Sequence, residues 1–332
     1  MIEDTIFMAG ISAPAYKPQR EPMELFEFSE TLLPVRMFSF GRPAEETNVE
    51  SYYLVFDDRQ IPFKVLRYAR NASVARPVLV LLHGMGLHIA SFRGIAAHLL
   101  PLCDLVLIDY NSFAGIGWPE GGPSIRMLMH AAMRIPKELG LEHIFMGGAS
   151  LGGGMSVMAA LDYPQIVDAL VLLNPAVFPQ ELPQIYKTLR VPIQGEMFMR
   201  IIPPEQLVGG VASIGYVDQK KMDSQLVDIY MSNMSNIENR FKLLDVIRQL
   251  PAHYGESERY LTRAHQLKQP VLVIWGSRDN LLDQSTGDRL VKTIPHIDFV
   301  KFSDLAHLPH EEDPDRIGPI VARFIARQST HN

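Results

Sequence analysis

Five short runs limit what this chain can fold into. Residues 78–82, 105–108, 144–146, 169–173 and 271–275 are nearly all apolar, and each is closed by Gly, Pro, Asp or Asn. Runs of this length without polar alternation fit strands buried on both faces of a parallel sheet. Parallel neighbours need crossover connections, and helix-like segments at 90–100, 124–139, 152–162, 285–293 and 314–327 supply them. The last opens after Pro314, a natural first-turn residue. A final strand candidate lies at 299–302. The fold class expected is α/β.

The remaining chain is less regular. Residues 1–48 hold prolines at 14, 18, 22, 34 and 43 and no sustained periodicity, so an irregular extension is expected there. The β-prone stretches 52–56 and 63–68, separated by the turn-like 57–60, suggest an antiparallel opening hairpin. From Asn174 to Pro270 the strand rhythm stops. That Met-rich stretch, helical around 222–249, is expected to be an insertion that caps the sheet.

Composition narrows the function classes. Hydrophobic residues make up 47% and charged residues 20% of the chain, an ordinary globular balance. A net charge of −6 without a Lys/Arg-rich block gives no grip on a phosphate backbone, so no nucleic-acid partner is expected. Cys103 is the single cysteine, a core filler by expectation, and asks for no oxidising compartment. Glu3 and Asp4 stand where a secretory leader carries Lys or Arg. No apolar run reaches the ~18 residues of a membrane span. These features point to a cytoplasmic protein without a membrane partner.

The sharpest local signal is Gly148-Ala149-Ser150-Leu151-Gly152, a G-x-S-x-G pattern directly after a strand and before a helix. Such a turn presents the serine hydroxyl to solvent, and the helix N-terminus behind it favours developing negative charge. A phosphate loop would need a lysine after the glycines, and none follows. His83-Gly84-Met85-Gly86 closes the run 78–82, where the N–H of Met85 and that of Leu151 would form an oxyanion hole; His83 itself reads as structural. A nucleophilic serine needs a base and a carboxylate to orient it. Asp279 follows the run 271–275 and His307 follows 299–302, both just past strand ends, where open α/β sheets build their sites. Asp283 competes with Asp279. His310 competes with His307, but its acidic neighbours suit a surface or loop-bracing histidine. No metal-ligand spacing such as H-E-x-x-H occurs, so no metal is expected.

The combination of HGMG, GASLGG, WGSRD and AHLPHEEDP resembles the α/β-hydrolase superfamily over about residues 50 to 327. The resemblance implies a mostly parallel eight-stranded sheet, with the core at 49–176 and 267–332 and a helical cap at 177–266. It also implies a covalent acyl-enzyme on Ser150. Relatives with an aspartate nucleophile, such as dehalogenases and epoxide hydrolases, are disfavoured by Ser150. The segment from Asp109 to Trp118 is longer than the usual D-x-x-G-x-G-x-S, and Asp283 lies where a proline often follows the acid.

The expectation is therefore a cofactor-independent hydrolase of a small or medium acyl compound, most simply a carboxylic ester. Ser150 is the nucleophile, His307 the base and Asp279 the acid. Met197, Phe198, Met199, Met222, Met231 and Met234 are candidates to line an apolar pocket. Two alternatives stay open: a hydrolase of carbon–carbon bonds in β-diketones or ring-cleavage products, and a non-catalytic binding protein on the same scaffold. No motif speaks to the oligomeric state.

Overall fold

Each apolar run is a strand in the computed structural model, which describes residues 47–50, 53–56, 59–62, 65–70, 76–110, 124–181, 183–294 and 296–329. The strands are β1 (Thr47–Glu50), β2 (Tyr53–Phe56), β3 (Arg59–Pro62), β4 (Val65–Arg70), β5 (Val78–Leu82), β6 (Asp104–Ile108), β7 (Ile144–Ala149), β8 (Val167–Leu173), β9 (Val271–Gly276) and β10 (Ile297–Phe302). Eight of them form one sheet in the order β1-β4-β6-β5-β7-β8-β9-β10. From β6 to β10 all neighbours are parallel, while β4 runs antiparallel to both β6 and β1.

Alternation along the strands shows why the runs carry no polar residues. Val80, Leu82, Met146, Leu170, Leu172, Val273 and Trp275 face one core, against helices α2 (Ile125–Glu138) and α3 (Leu151–Asp162). Leu79, Leu81, Phe145, Val171, Leu272 and Ile274 face the other, against α1 (Arg93–Leu99) and α11 (Pro314–Ser329). Both faces are dry, so neither tolerates a charge. Cys103 lies fully buried in the second core, where burial pushes its thiol up to about 12.

Between β8 and β9 the chain makes α4 (Gln184–Leu189), α5 (Gln194–Ile201), α6 (Pro204–Gly215), α7 (Ser224–Ser235) and α8 (Ile237–Arg263). The helix expected around 222–249 is two helices, broken where the Asn236 side chain accepts from Glu238 N–H and caps α8. After β9 come α9 (Ser285–Thr293) and, beyond β10, the single turn α10 (Pro309–Glu312).

The opening hairpin differs from expectation. Arg59 and Gln60 belong to β3, which pairs with β2 as a separate two-stranded sheet, and β4 joins the main sheet instead. Parallel crossovers leave β6 with an open edge, and β4 satisfies its backbone groups there. The first strand starts at Thr47; residues 1–46 of the expected extension, and residues 111–118 of the longer segment after β6, lie outside the described residues. Among the described residues no helix is long and apolar enough to cross a membrane.

Candidate active site

The sheet order sets the location. β5 is flanked by β6 on one side and β7 on the other, so the chain reverses its direction of winding at β5, and crevices open at the carboxyl ends of strands at such a point. The segment after β5 carries His83 to Gly86, and the turn after β7 is Ser150 alone, since α3 begins at Leu151.

Ser150 has φ 51° and ψ −118°, a conformation that L side chains rarely adopt. Main-chain hydrogen bonds hold it: Ser150 N–H donates to Leu173 O at 3.0 Å, and Ser150 O accepts from Ala176 N at 2.8 Å and Gly154 N at 3.1 Å. The flanking glycines are a steric necessity. A Cβ on Gly148 would lie 2.5 Å from Leu82 O, and one on Gly152 only 2.1 Å from that same oxygen. The strained turn thus sits directly on the end of β5, and a Cβ on Gly84 would stand 3.3 Å from Ser150 Cβ.

Met85, Ser150 and Leu151 line one cleft together with Gln180, Tyr186, Tyr254 and Leu282, among other residues. It holds about 370 Å³ of empty space, counting that open to solvent at its mouth. Among the described residues neither Met85 N–H nor Leu151 N–H has a hydrogen-bond partner. At Leu151 this follows from its place in the first helical turn. His83 is fully buried, with Nε2 3.2 Å from Asp109 Oδ1, Nδ1 2.8 Å from Gly84 O and its ring stacked on Tyr110, so it braces this loop.

Asp279 and His307, 28 positions apart, meet because β9 and β10 are neighbours. Asp279 Oδ2 lies 2.6 Å from His307 Nδ1, with both residues only 3% exposed. Asn174 Nδ2 donates to the same oxygen at 2.8 Å, and Oδ1 accepts from Leu281 N and Leu282 N at 2.8 and 2.9 Å. Burial pushes this carboxyl up, but the His307 charge and the donors around it outweigh burial and hold it below the usual carboxylate range. No hydrogen bond joins Ser150 Oγ to His307 among the described residues.

The competitors are placed elsewhere. Asp283 is exposed and accepts from Ser285 N–H at the start of α9. His310 is no surface residue: it is fully buried, stacks on Phe92, and has Nε2 2.8 Å from Ser91 Oγ. Burial, together with the charge of His307, pushes it down to about 3, which leaves it neutral. Its neighbours Glu311 and Glu312 are buried too, and Glu311 accepts from Ser91, Tyr216 and Tyr230 hydroxyls. The six pocket candidates, all between β8 and β9, line none of this cleft. Met199 and Met234 are buried in other clusters, Phe198, Met222 and Met231 pack against those clusters, and Met197 is exposed, because the helices use these side chains to pack on one another. Asn174 was not expected from its residue type; its only sequence signal is a polar amide directly after the apolar run 169–173, and in the structure its backbone takes φ 39°.

Sheet order, strained serine turn and helices on both faces define an α/β-hydrolase. The family described as "Serine aminopeptidase, S33" (Hydrolase_4) matches residues 127–314, and the chain belongs to it. It is similar to Lipase 1 of Psychrobacter immobilis, with 25% identity over 84% of each chain. It is also similar to the 2-hydroxy-6-oxononadienedioate/2-hydroxy-6-oxononatrienedioate hydrolase of Paraburkholderia phymatum, at 24% identity over 77% of this chain and 90% of that one. In fold it matches haloalkane dehalogenase DbeA of Bradyrhizobium elkani, with a TM-score of 0.70 and 19% identity over 86% of this chain and all of that one.

Proposed function

We propose that the protein is a cofactor-independent serine hydrolase that cleaves a carboxylic ester with a small or medium apolar acyl group. The observation that carries the reading is Ser150 in strained geometry beside two N–H groups that have no partner among the described residues, at one apolar cleft. Ser150 Oγ attacks the ester carbonyl and His307 Nε2 takes the hydroxyl proton, while Asp279 fixes the ring through Nδ1–H. Met85 and Leu151 N–H groups receive the oxyanion, a device in which one donor contributes about 3 kcal/mol. The alkoxide leaves with the proton from His307. Water, deprotonated by His307, then releases the acid from Ser150.

The likeness to a dienedioate hydrolase favours a second reading, cleavage of a carbon–carbon bond in a dicarboxylate. Two carboxylates buried in a cleft need cationic partners. Among the described residues, those lining this cleft are apolar or neutral and include no Lys or Arg, which supports the ester.

The test is turnover of p-nitrophenyl esters of increasing acyl length, with fluorophosphonate labelling read by intact mass. Wild type is expected to label once and to turn over, whereas Ser150→Ala does not label and loses at least about a thousandfold in kcat. Labelling without ester turnover would move the assignment to the carbon–carbon bond. Neither labelling nor turnover would leave a non-catalytic scaffold.

A further inference from the structure

Both main-chain neighbours of His307 are tied to one turn of the helical insertion. Ala306 N–H, just before the histidine, donates to Glu312 Oε2 at 2.8 Å. The other oxygen of the same carboxylate, Oε1, accepts from Val217 N at 2.9 Å and Asp218 N at 3.3 Å, immediately after α6. On the far side of the histidine, Leu308 N–H donates to Gly215 O at 3.0 Å, at the end of α6. The approach is close: a Cβ on Gly215 would lie 2.6 Å from Leu308 Cδ1.

Glu312 is only 4% exposed, and among the described residues no cationic side chain pairs with it. A buried carboxylate without a counter-charge is expensive, and this one is matched instead by converging backbone donors. Only an acceptor-only group serves both sides. A glutamine here would turn its NH₂ toward an N–H on one side and lose that contact. Adjacent Glu311 joins Ser91, beside α1, to Tyr216 and Tyr230 of the insertion, but its partners are hydroxyls that can rotate to suit an amide.

We propose that Glu312 is a positioning residue for His307, clasping the main chain around the base to the turn at 215–218, so that the seating of the insertion sets the aim of His307 at Ser150. This rests on the reading of His307 as the general base. Displacing a base by a fraction of its working distance leaves substrate binding intact and slows the step that needs the proton transfer.

The experiment compares Glu312→Gln, Glu312→Asp and Glu311→Gln in the full chain. One readout is ester kinetics. The other is the far-downfield NMR resonance of the proton in the His307–Asp279 hydrogen bond, which needs no turnover. Glu312→Gln is expected to shift or broaden that resonance and to lower kcat about ten- to a hundredfold with KM little changed. Glu312→Asp, still acceptor-only, recovers part of both, and Glu311→Gln leaves both near wild type. Wild-type kcat with an unmoved resonance in Glu312→Gln overturns the proposal. So does a rise in KM alone, which would make Glu312 an ordinary packing contact of the insertion. If Glu312→Gln does not fold, Gly215→Ala carries the test from the other side by crowding Leu308, with the same resonance deciding. Failure of Ser150 to label in wild type would sink the hydrolase reading, while the resonance would still decide the clasp.

Discussion

At the scale of single residues, the site is held by side chains that have no part in the proposed proton transfers. Asn174 is fully buried with φ 39°. Its amide donates to Asp279 Oδ2 and to Gly276 O, and its carbonyl accepts from Gly276 N–H. One side chain thus spans the end of β9 and orients the carboxylate. Asn174→Ala removes these bonds and puts a residue with no polar arm into left-handed backbone. We expect a loss of about 2–4 kcal/mol in urea unfolding and a lower kcat, because Asp279 loses a fixed donor. Unchanged stability would mean that the turn relaxes and that Asn174 is not what holds it.

Among the elements, β7, Ser150 and α3 set two rules against each other. Helix propensity favours Ala over Gly inside α3 by about 1 kcal/mol. Packing opposes it at Gly152, where a Cβ would meet Leu82 O at 2.1 Å and His83 O at 2.5 Å, both backbone atoms that cannot swing aside. Packing wins. Gly152→Ala is expected to destabilise the protein by at least about 2 kcal/mol, read as a lower denaturant midpoint, and to cut fluorophosphonate labelling as the elbow shifts. Gly209→Ala in α6, where a Cβ would meet nothing within 4 Å, is the control and should be neutral or slightly stabilising. The same elements show how far sequence reading reaches. The strand-to-helix serine turn was legible because glycine spacing is local, whereas the β2–β3 pairing was not, because it depended on the open edge of β6 drawing β4 away.

Over the whole molecule, buried Glu311 and Glu312 tie the helices between β8 and β9 to the rest of the protein, and Glu311 is the one expected to make stability depend on pH. Burial raises Glu311 above its ordinary value of 4.5, against the Ser91, Tyr216 and Tyr230 hydroxyls and the His307 charge, which lower it. A carboxyl raised on folding favours the folded state in its protonated form. Its contribution is complete below the unfolded value and is lost as pH rises through the raised one. Glu311→Gln stays neutral, so the variant should gain stability relative to wild type as pH increases above about 4.5, measured by urea midpoints across pH. A gap that stays constant with pH would show that Glu311 titrates alike in both states. By itself the sequence determined the parallel two-faced sheet, the serine turn and the order in which Ser150, Asp279 and His307 follow strand ends. Those follow from periodicity, glycine spacing and residues just past strand ends, all of them read within a few positions. Only the tertiary structure decided that Asp279 rather than Asp283 meets His307, that Asn174 holds the acid, that His310, Glu311 and Glu312 are interior, and that the methionines pack helices instead of lining the cleft. Each of these depends on which strands lie side by side and on what is withdrawn from water, and neither is encoded in any short stretch of chain.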